Sequence, residues 1–502
     1  MLILAIIAYM IATIGIGLYA ASKIHSSKDF MVAGRSLPLY MNFACVFATW
    51  FGAETLLSIS ATFTRDGMQG ISGDPFGAAT CLMLVALFFA RAFYRMELLT
   101  IGDFYHKRYG KFVEIITSLA ITASYLGWTS AQMTALGLVI HVLSPDMLTL
   151  NQAIILGAFI VTLYTMFGGM WSIALTDLVQ TAAIVLGLLI VAYYIGGQAG
   201  GVANVLSHAQ EAGKFQFFPS TEGASPADAT RQWLAFIAAF LTFALGSIPQ
   251  QDVFQRVTSA KNESTAVHGT LLGGAFYFIF AFIPMYIAYS AVVIDTSYTE
   301  LFQSDDTRHI QRILPDLILG NTPVWTQILF FGALLSAILS TASGAILAPS
   351  SLFTENVMQP FLKHLDDRTF LWVIRSVLVM FALAATLMAI NSNSTMYEMV
   401  QNAYKVTLVG AFIPLVMGLY WHRSSTQGAL CSIAFGIITW VSLEATLPEG
   451  SQHPWAIVPP QLVGLLAAFL GMLIGSLAPQ LIKTPVIDES KLRQRPQREI
   501  SH

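Results

Sequence analysis

Apolar residues in this chain gather into blocks of about 20, the length of an α-helix crossing a bilayer and too long for barrel strands. The blocks fall near 2–21, 38–60, 71–93, 114–142, 150–167, 172–197, 232–255, 265–294, 324–353, 371–390, 400–421, 427–447 and 457–482. They predict an all-α integral membrane protein with thirteen transmembrane helices. Two blocks are interrupted. The second carries Gly52 and the charged Glu54 mid-span, and the seventh carries Gly246 and Pro249. Backbone freed at such breaks can face an ion or solute. Four blocks separate the two breaks. With the first block peripheral, blocks 2–6 and 7–11 make two five-helix units, each opened by a discontinuous helix.

Composition agrees with this pattern. The chain is 55% hydrophobic and 11% charged, whereas a soluble domain carries roughly 25% charged residues. A net charge of −3 offers nothing to nucleic acid. Cys45, Cys81 and Cys431 lie in apolar blocks and form no disulfide framework. The block that begins at Met1 has no basic leader and reads as a retained helix. Basic residues set the orientation. With the N-terminus outside, eighteen Lys and Arg fall on the cytoplasmic side against five outside. The loops at 198–231 and 295–323 then lie outside. The tail after 483 is cytoplasmic, polar and disordered.

Polar residues inside the blocks are the chemical candidates. Ser340-Thr341 places two hydroxyls at mid-membrane depth, where a small cation needs oxygens to replace its water. The same hydroxyls can bond back to their own helix or join two helices. Glu54 can pair with a cationic substrate, act as a proton site, or bond as a neutral acid with Thr55 and Gln251. Gln250, Gln251 and Asp252 offer donors and acceptors to a solute, or satisfy the broken backbone. Asp177 needs a cation or hydrogen-bond donors at its depth. Asp74-Pro75-Phe76-Gly77 reads as an outer turn and cap, with Phe76 a gating contact. The histidines show no ligand spacing, and no nucleophile–base pair or phosphate loop suggests an enzyme.

The chain resembles the sodium:solute symporter family. The resemblance runs from Asp29 through the eleventh or twelfth block. It is carried by Gly34-Arg35-Ser36 and by Phe167-Gly168-Gly169-Met170-Trp171. The high-affinity choline branch looks closest, through Ala48-Thr49-Trp50, Leu87-Phe88-Phe89-Ala90-Arg91, Phe254-Gln255-Arg256-Val257 and Ile313-Leu314-Pro315; the proline branch is also similar. The resemblance implies a five-plus-five inverted repeat, the leucine-transporter-like fold, and sodium-coupled import of a small organic solute by alternating access. It implies Na+ held by the carbonyls of Ala48, Phe51 and Ala337 and the hydroxyls of Ser340 and Thr341. Asp177 and Ser343 match a second sodium site or exit station, although Gly344 stands where such members carry a hydroxyl. Trp50 and Trp128 match two aromatics of the choline cage, which attract quaternary ammonium by cation–π interaction. Ala78 and Gln250 stand where its other aromatics are expected.

The expected organisation is a peripheral helix and loop at 1–37, repeats at 38–197 and 232–421 flanking the outer loop 198–231, peripheral helices at 422–482, and the tail 483–502. The substrate positions are Trp50, Glu54, Trp128, Gln250 and Gln251, for a choline-like amine or an amino acid such as proline. The alternatives are proton coupling through Glu54 and a non-transporting membrane sensor. Expected partners are the solute, Na+ and lipid, with no obligate protein partner. The expected location is the bacterial inner (plasma) membrane, multi-pass, N-terminus outside and C-terminus cytoplasmic.

Overall fold

The computed structural model describes residues 1–22, 24, 26–304, 307–362, 365–447 and 453–482. The tail expected after 483 and the loop lysines Lys23 and Lys363 lie outside the described residues. Regular structure among the described residues is helical, apart from an isolated bridge between Leu37 and Ala260. Eleven helices are long and apolar enough to cross a membrane, or twelve if one bent pair counts as a span. They are α1 (Leu2–Ala21), the pair α2 (Leu39–Trp50) and α3 (Glu54–Asp66), α4 (Met68–Arg95), α5 (Lys111–Leu143) and α6 (Leu150–Gln198). Next come α7 (Pro226–Gly246), the short α8 (Gln251–Ser259), α9 (Glu263–Ile294), α10 (Val324–Met358), α11 (Asp367–Asn391), α12 (Met396–Tyr420), α13 (Thr426–Thr446) and α14 (Pro460–Leu477).

The blocks expected at 150–167 and 172–197 run together in α6, which has 49 residues. At about 1.5 Å per residue it is more than twice as long as the ~30 Å hydrocarbon core. It breaks where it must turn, at Gly169, with φ 48° and ψ −147°. A Cβ there would stand 2.6 Å from the Phe30 carbonyl oxygen, so only glycine allows this approach.

The two long outer segments are more ordered than their loop reading. They contain helices Val202–Glu211, Ser297–Phe302 and Thr307–Asn321. The last buries Ile310, Ile313, Leu314, Leu317 and Ile318. That spacing is one face of an amphipathic helix, and it is too short and too polar to stand out as a membrane block.

Burial sorts the helices into centre and rim. Of the most apolar window of α10, 83% is buried, against 17% for α1 and 28% for α13. α10 packs closely against α5 and α6, with small residues such as Ala337, Ala342, Ala345 and Ala348 buried along it. α13 and α14 pack chiefly on each other.

Candidate functional site

The site forms where the α2–α3 break faces α10. α2 stops at Trp50, Phe51 leaves helical geometry with φ −86° and ψ 74°, and α3 resumes at Glu54 with a 55° bend. In an unbroken helix the Gly52 N–H would donate to the Ala48 carbonyl. Here it donates to Trp50 O at 3.1 Å. The Ala48 carbonyl is released and accepts instead from Thr341 Oγ1 at 3.2 Å. Of the expected hydroxyl pair, Thr341 thus meets the end of α2. Ser340 Oγ donates to Asp177 Oδ1 at 2.5 Å. Ser343 Oγ turns back to the Ser340 carbonyl at 2.9 Å, not towards Asp177. Ala337 lies one turn before Thr341 on the same buried face, and Phe51 is buried beside the break.

Glu54 finds other partners than Thr55 and Gln251. Its Oε1 accepts from Trp128 Nε1 at 3.3 Å, and its Oε2 from Gln132 Nε2 at 2.6 Å. Gln132 Oε1 in turn accepts the Ala53 N–H freed by the break, at 3.3 Å. The reason lies in geometry: α3 starts at Glu54 and points the carboxyl across the break to α5. Gln132 carries no motif and escaped the sequence reading.

Trp50 and Trp128 share one neighbouring ring, Tyr404, each with its centroid 6.2 Å from it. Trp50 also meets Tyr277 edge-on at 6.5 Å, and Trp128 stacks with Tyr125 at 5.7 Å. Asp74 corrects an expectation. It is buried, and it accepts from Tyr277 Oη and from Thr55 Oγ1, so its carboxyl serves the core of the site and not an exposed cap. Nothing in its local sequence, an Asp before a proline, separates it from an ordinary turn residue. Four buried carboxyls thus line this region, Glu54, Asp74, Asp177 and Asp252.

The second break leaves Ser247 to Gln250 between α7 and α8. Pro249 has no N–H to offer a continuing helix. Thr407 Oγ1 satisfies the Gly246 carbonyl at 2.6 Å. Gln250 Nε2 donates to Ser124 Oγ at 3.1 Å and to Thr407 Oγ1 at 3.2 Å. Gln251 Oε1 accepts from the Ile101 N–H at 2.8 Å, which ties α8 to the helix Ile101–Tyr109. Asp252 accepts from Tyr125 Oη. Phe76 sits apart, with Phe217 at 4.4 Å and Phe278 at 5.3 Å. The rings nearer the aromatic group are Phe243 and Tyr397, stacked at 5.3 Å. Among the described residues no three His, Cys, Asp or Glu side chains cluster to hold a metal ion.

The family model described as the sodium:solute symporter family matches residues 30–436. The high affinity choline transporter 1 of Homo sapiens is 28% identical over 454 residues, which is 87% of this chain and 75% of that transporter. The osmoregulated proline transporter OpuE of Bacillus subtilis (strain 168) is 25% identical over 485 residues, covering 94% of each. A solved structure of a Na+-coupled sialic acid symporter, in a substrate-bound outward-open state, superposes with a TM-score of 0.75 at 19% identity. The superposition covers 95% of this chain and 98% of that one, and shows a shared transporter fold.

Proposed function

Because the chain belongs to the sodium:solute symporter family, we propose that it imports a small organic cation, of the choline type, on the sodium gradient by alternating access. Two features favour a cation over a zwitterion such as proline. Trp50, Trp128 and Tyr404 present ring faces, which attract an alkylammonium group. Asp74 adds a carboxyl to the same buried region. The half-cage left by Ala78 and Gln250 is completed, on this reading, by Tyr404 and Tyr277. Gln250 and Gln251 hold the α7–α8 break in the shape that frames the solute. Phe243 and Tyr397 close the outer side, and Phe76, which packs apart from them, takes no part in the gate.

The observation that carries the sodium reading is the released Ala48 carbonyl beside Thr341. Na+ is a hard cation suited to such oxygens, and Ala48, Phe51, Ala337, Ser340 and Thr341 are its assigned ligands. Binding there holds α10 against α2 and fixes the break that shapes the solute pocket. Asp177, bonded to Ser340, is the exit station for the ion on the inner side, with Ser343 beside it. Each charge moved inward gains about 2.3 kcal/mol per 100 mV of membrane potential.

The architecture proposed is thirteen crossings, with α6 counted as two and each broken helix as one. Repeats over 38–197 and 232–421 are related as an inverted five-plus-five pair, with 1–37 and 422–482 peripheral, and the N-terminus is outside. Uptake of radiolabelled choline into proteoliposomes tests the reading. It should require Na+ at every pH tried and vanish in the S340A/T341A double variant, while that variant still inserts. Uptake that persists with K+ in place of Na+, or an unchanged double variant, would overturn it.

A further inference from the structure

The residue at the break is glycine, and the space its missing side chain leaves is walled by oxygen. A Cβ on Gly52 would stand 2.6 Å from Glu54 Oε2, 2.9 Å from Thr341 Oγ1 and 3.1 Å from Glu54 Oε1. Three side-chain oxygens on two helices thus converge where a methyl at residue 52 would clash. Thr341 Oγ1 is also the hydroxyl that meets the released Ala48 carbonyl.

The donors around Glu54 are fixed in role. Trp128 Nε1 can only donate. Gln132 must present its Nε2, because its Oε1 accepts the Ala53 N–H. Both carboxyl oxygens act as acceptors, one from each donor. Neither donor carries charge. A cation placed beside this carboxyl would favour its ionised form, which neutral donors alone do not balance. Each oxygen keeps acceptor capacity beyond its one donor, and the side facing Gly52 and Thr341 is where that capacity is directed.

We propose that the Glu54 carboxylate is itself a ligand of the coupling cation, completing with Thr341 an oxygen cradle that exists because residue 52 has no side chain. The inference rests on the sodium-symport reading and extends its ligand set by an anionic member. The space beside Gly52 is too small for an alkylammonium group, which assigns Glu54 to the inorganic ion and leaves the solute to the aromatic faces and Asp74. Both hydroxyls of the pair then work beside a carboxylate, Ser340 with Asp177 and Thr341 with Glu54. An ion held by neutral carbonyls and hydroxyls alone would carry its full charge in the membrane; here Glu54 offsets it.

Binding of 22Na+ to the purified full-length protein, without solute and with K+ as the background cation, tests this. Glu54→Gln keeps the size and removes the anion. Gly52→Ala keeps the anion and fills the cradle. Each should raise the Na+ half-saturation tenfold or more, with a thermal midpoint in K+ within a few degrees of wild type. Wild-type Na+ affinity in Glu54→Gln, alongside loss of binding in S340A/T341A, would overturn the inference and leave the symport reading intact. Wild-type binding in S340A/T341A would sink the symport reading itself. A Glu54→Gln protein that binds Na+ normally but takes up no solute would assign the carboxylate to the solute instead. Should Glu54→Gln fail to fold, Gly52→Ala decides: wild-type affinity there overturns the cradle.

Discussion

Arg256 occupies the room that a side chain at Gly344 would fill. A Cβ on Gly344 would stand 2.5 Å from Arg256 Nη2. The guanidinium is buried between α8, α2 and α10, and its Nε donates to Thr49 Oγ1 at 3.0 Å. Its Nη1 lies 3.5 Å from the Asp252 carbonyl oxygen, one turn back on α8. The position that departs from the family's hydroxyl pattern is therefore filled from another helix by a fixed cation.

Removing that cation should be costly. Arg256→Met removes a buried charge and its bond to Thr49, and a hydrogen bond to a charged group is worth about 1.5–3 kcal/mol. Gly344→Ala should cost less, because the contact it makes is with the movable end of a long side chain. Thermal midpoints of the two purified variants should fall in that order. An unchanged midpoint in Arg256→Met would mean that the bond to Thr49 adds nothing to stability.

The aromatic faces can be separated from the hydrogen bond that Trp128 makes. Trp128→Phe keeps a ring beside Tyr404 but loses the donor to Glu54. Tyr404→Leu removes the ring that Trp50 and Trp128 share. A buried cation–π contact is worth about 0.5–2 kcal/mol, so Tyr404→Leu should weaken choline binding about threefold to thirtyfold. Trp128→Phe should weaken it less and act mainly on Na+ affinity. Competition binding with labelled choline at saturating and at limiting Na+ reads both effects, and an equal loss in both variants at saturating Na+ would refute the division.

The membrane class was legible in the sequence, because long apolar blocks are a local signal, and so was the bend between α2 and α3, where Gly52 and Glu54 interrupt such a block. Residues whose role depends on a neighbour distant in the chain were not visible. Gln132 matters because Glu54 and Ala53 face it across the break. Tyr404 matters because α12 brings it beside two tryptophans. Asp74 looks like a turn residue until Tyr277, some two hundred positions later, donates to it. The family resemblance placed Ala48, yet its release follows only from the Gly52 N–H turning to Trp50.

At the C-terminal end of α10, Asn356 joins three elements. It follows α10's apolar run, and its Nδ2 donates to Asp103 Oδ1 at 3.1 Å and to Glu114 Oε1 at 2.8 Å. Its Oδ1 accepts from Thr100 Oγ1 at 2.6 Å. The helix Ile101–Tyr109 and the start of α5 are thus latched to the end of α10, and all of these side chains are buried. Glu114 is held further by Lys111 Nζ at 3.0 Å. Gly102 lies against the same amide, since a Cβ there would stand 2.4 Å from Asn356 Cγ, so the latch closes only over a glycine. Removing the amide takes one donor each from Asp103 and Glu114, at about 1.5–3 kcal/mol for a bond to a charged group. Asn356→Ala should therefore favour opening on this side. The native thiol of Cys45, buried on α2, reports it. In a protein lacking Cys81 and Cys431, alkylation of Cys45 by a membrane-permeant maleimide should speed up at least fivefold with Asn356→Ala, and Na+ should slow it again by holding α10 against α2. An unchanged alkylation rate would show that this side is closed by contacts other than this amide.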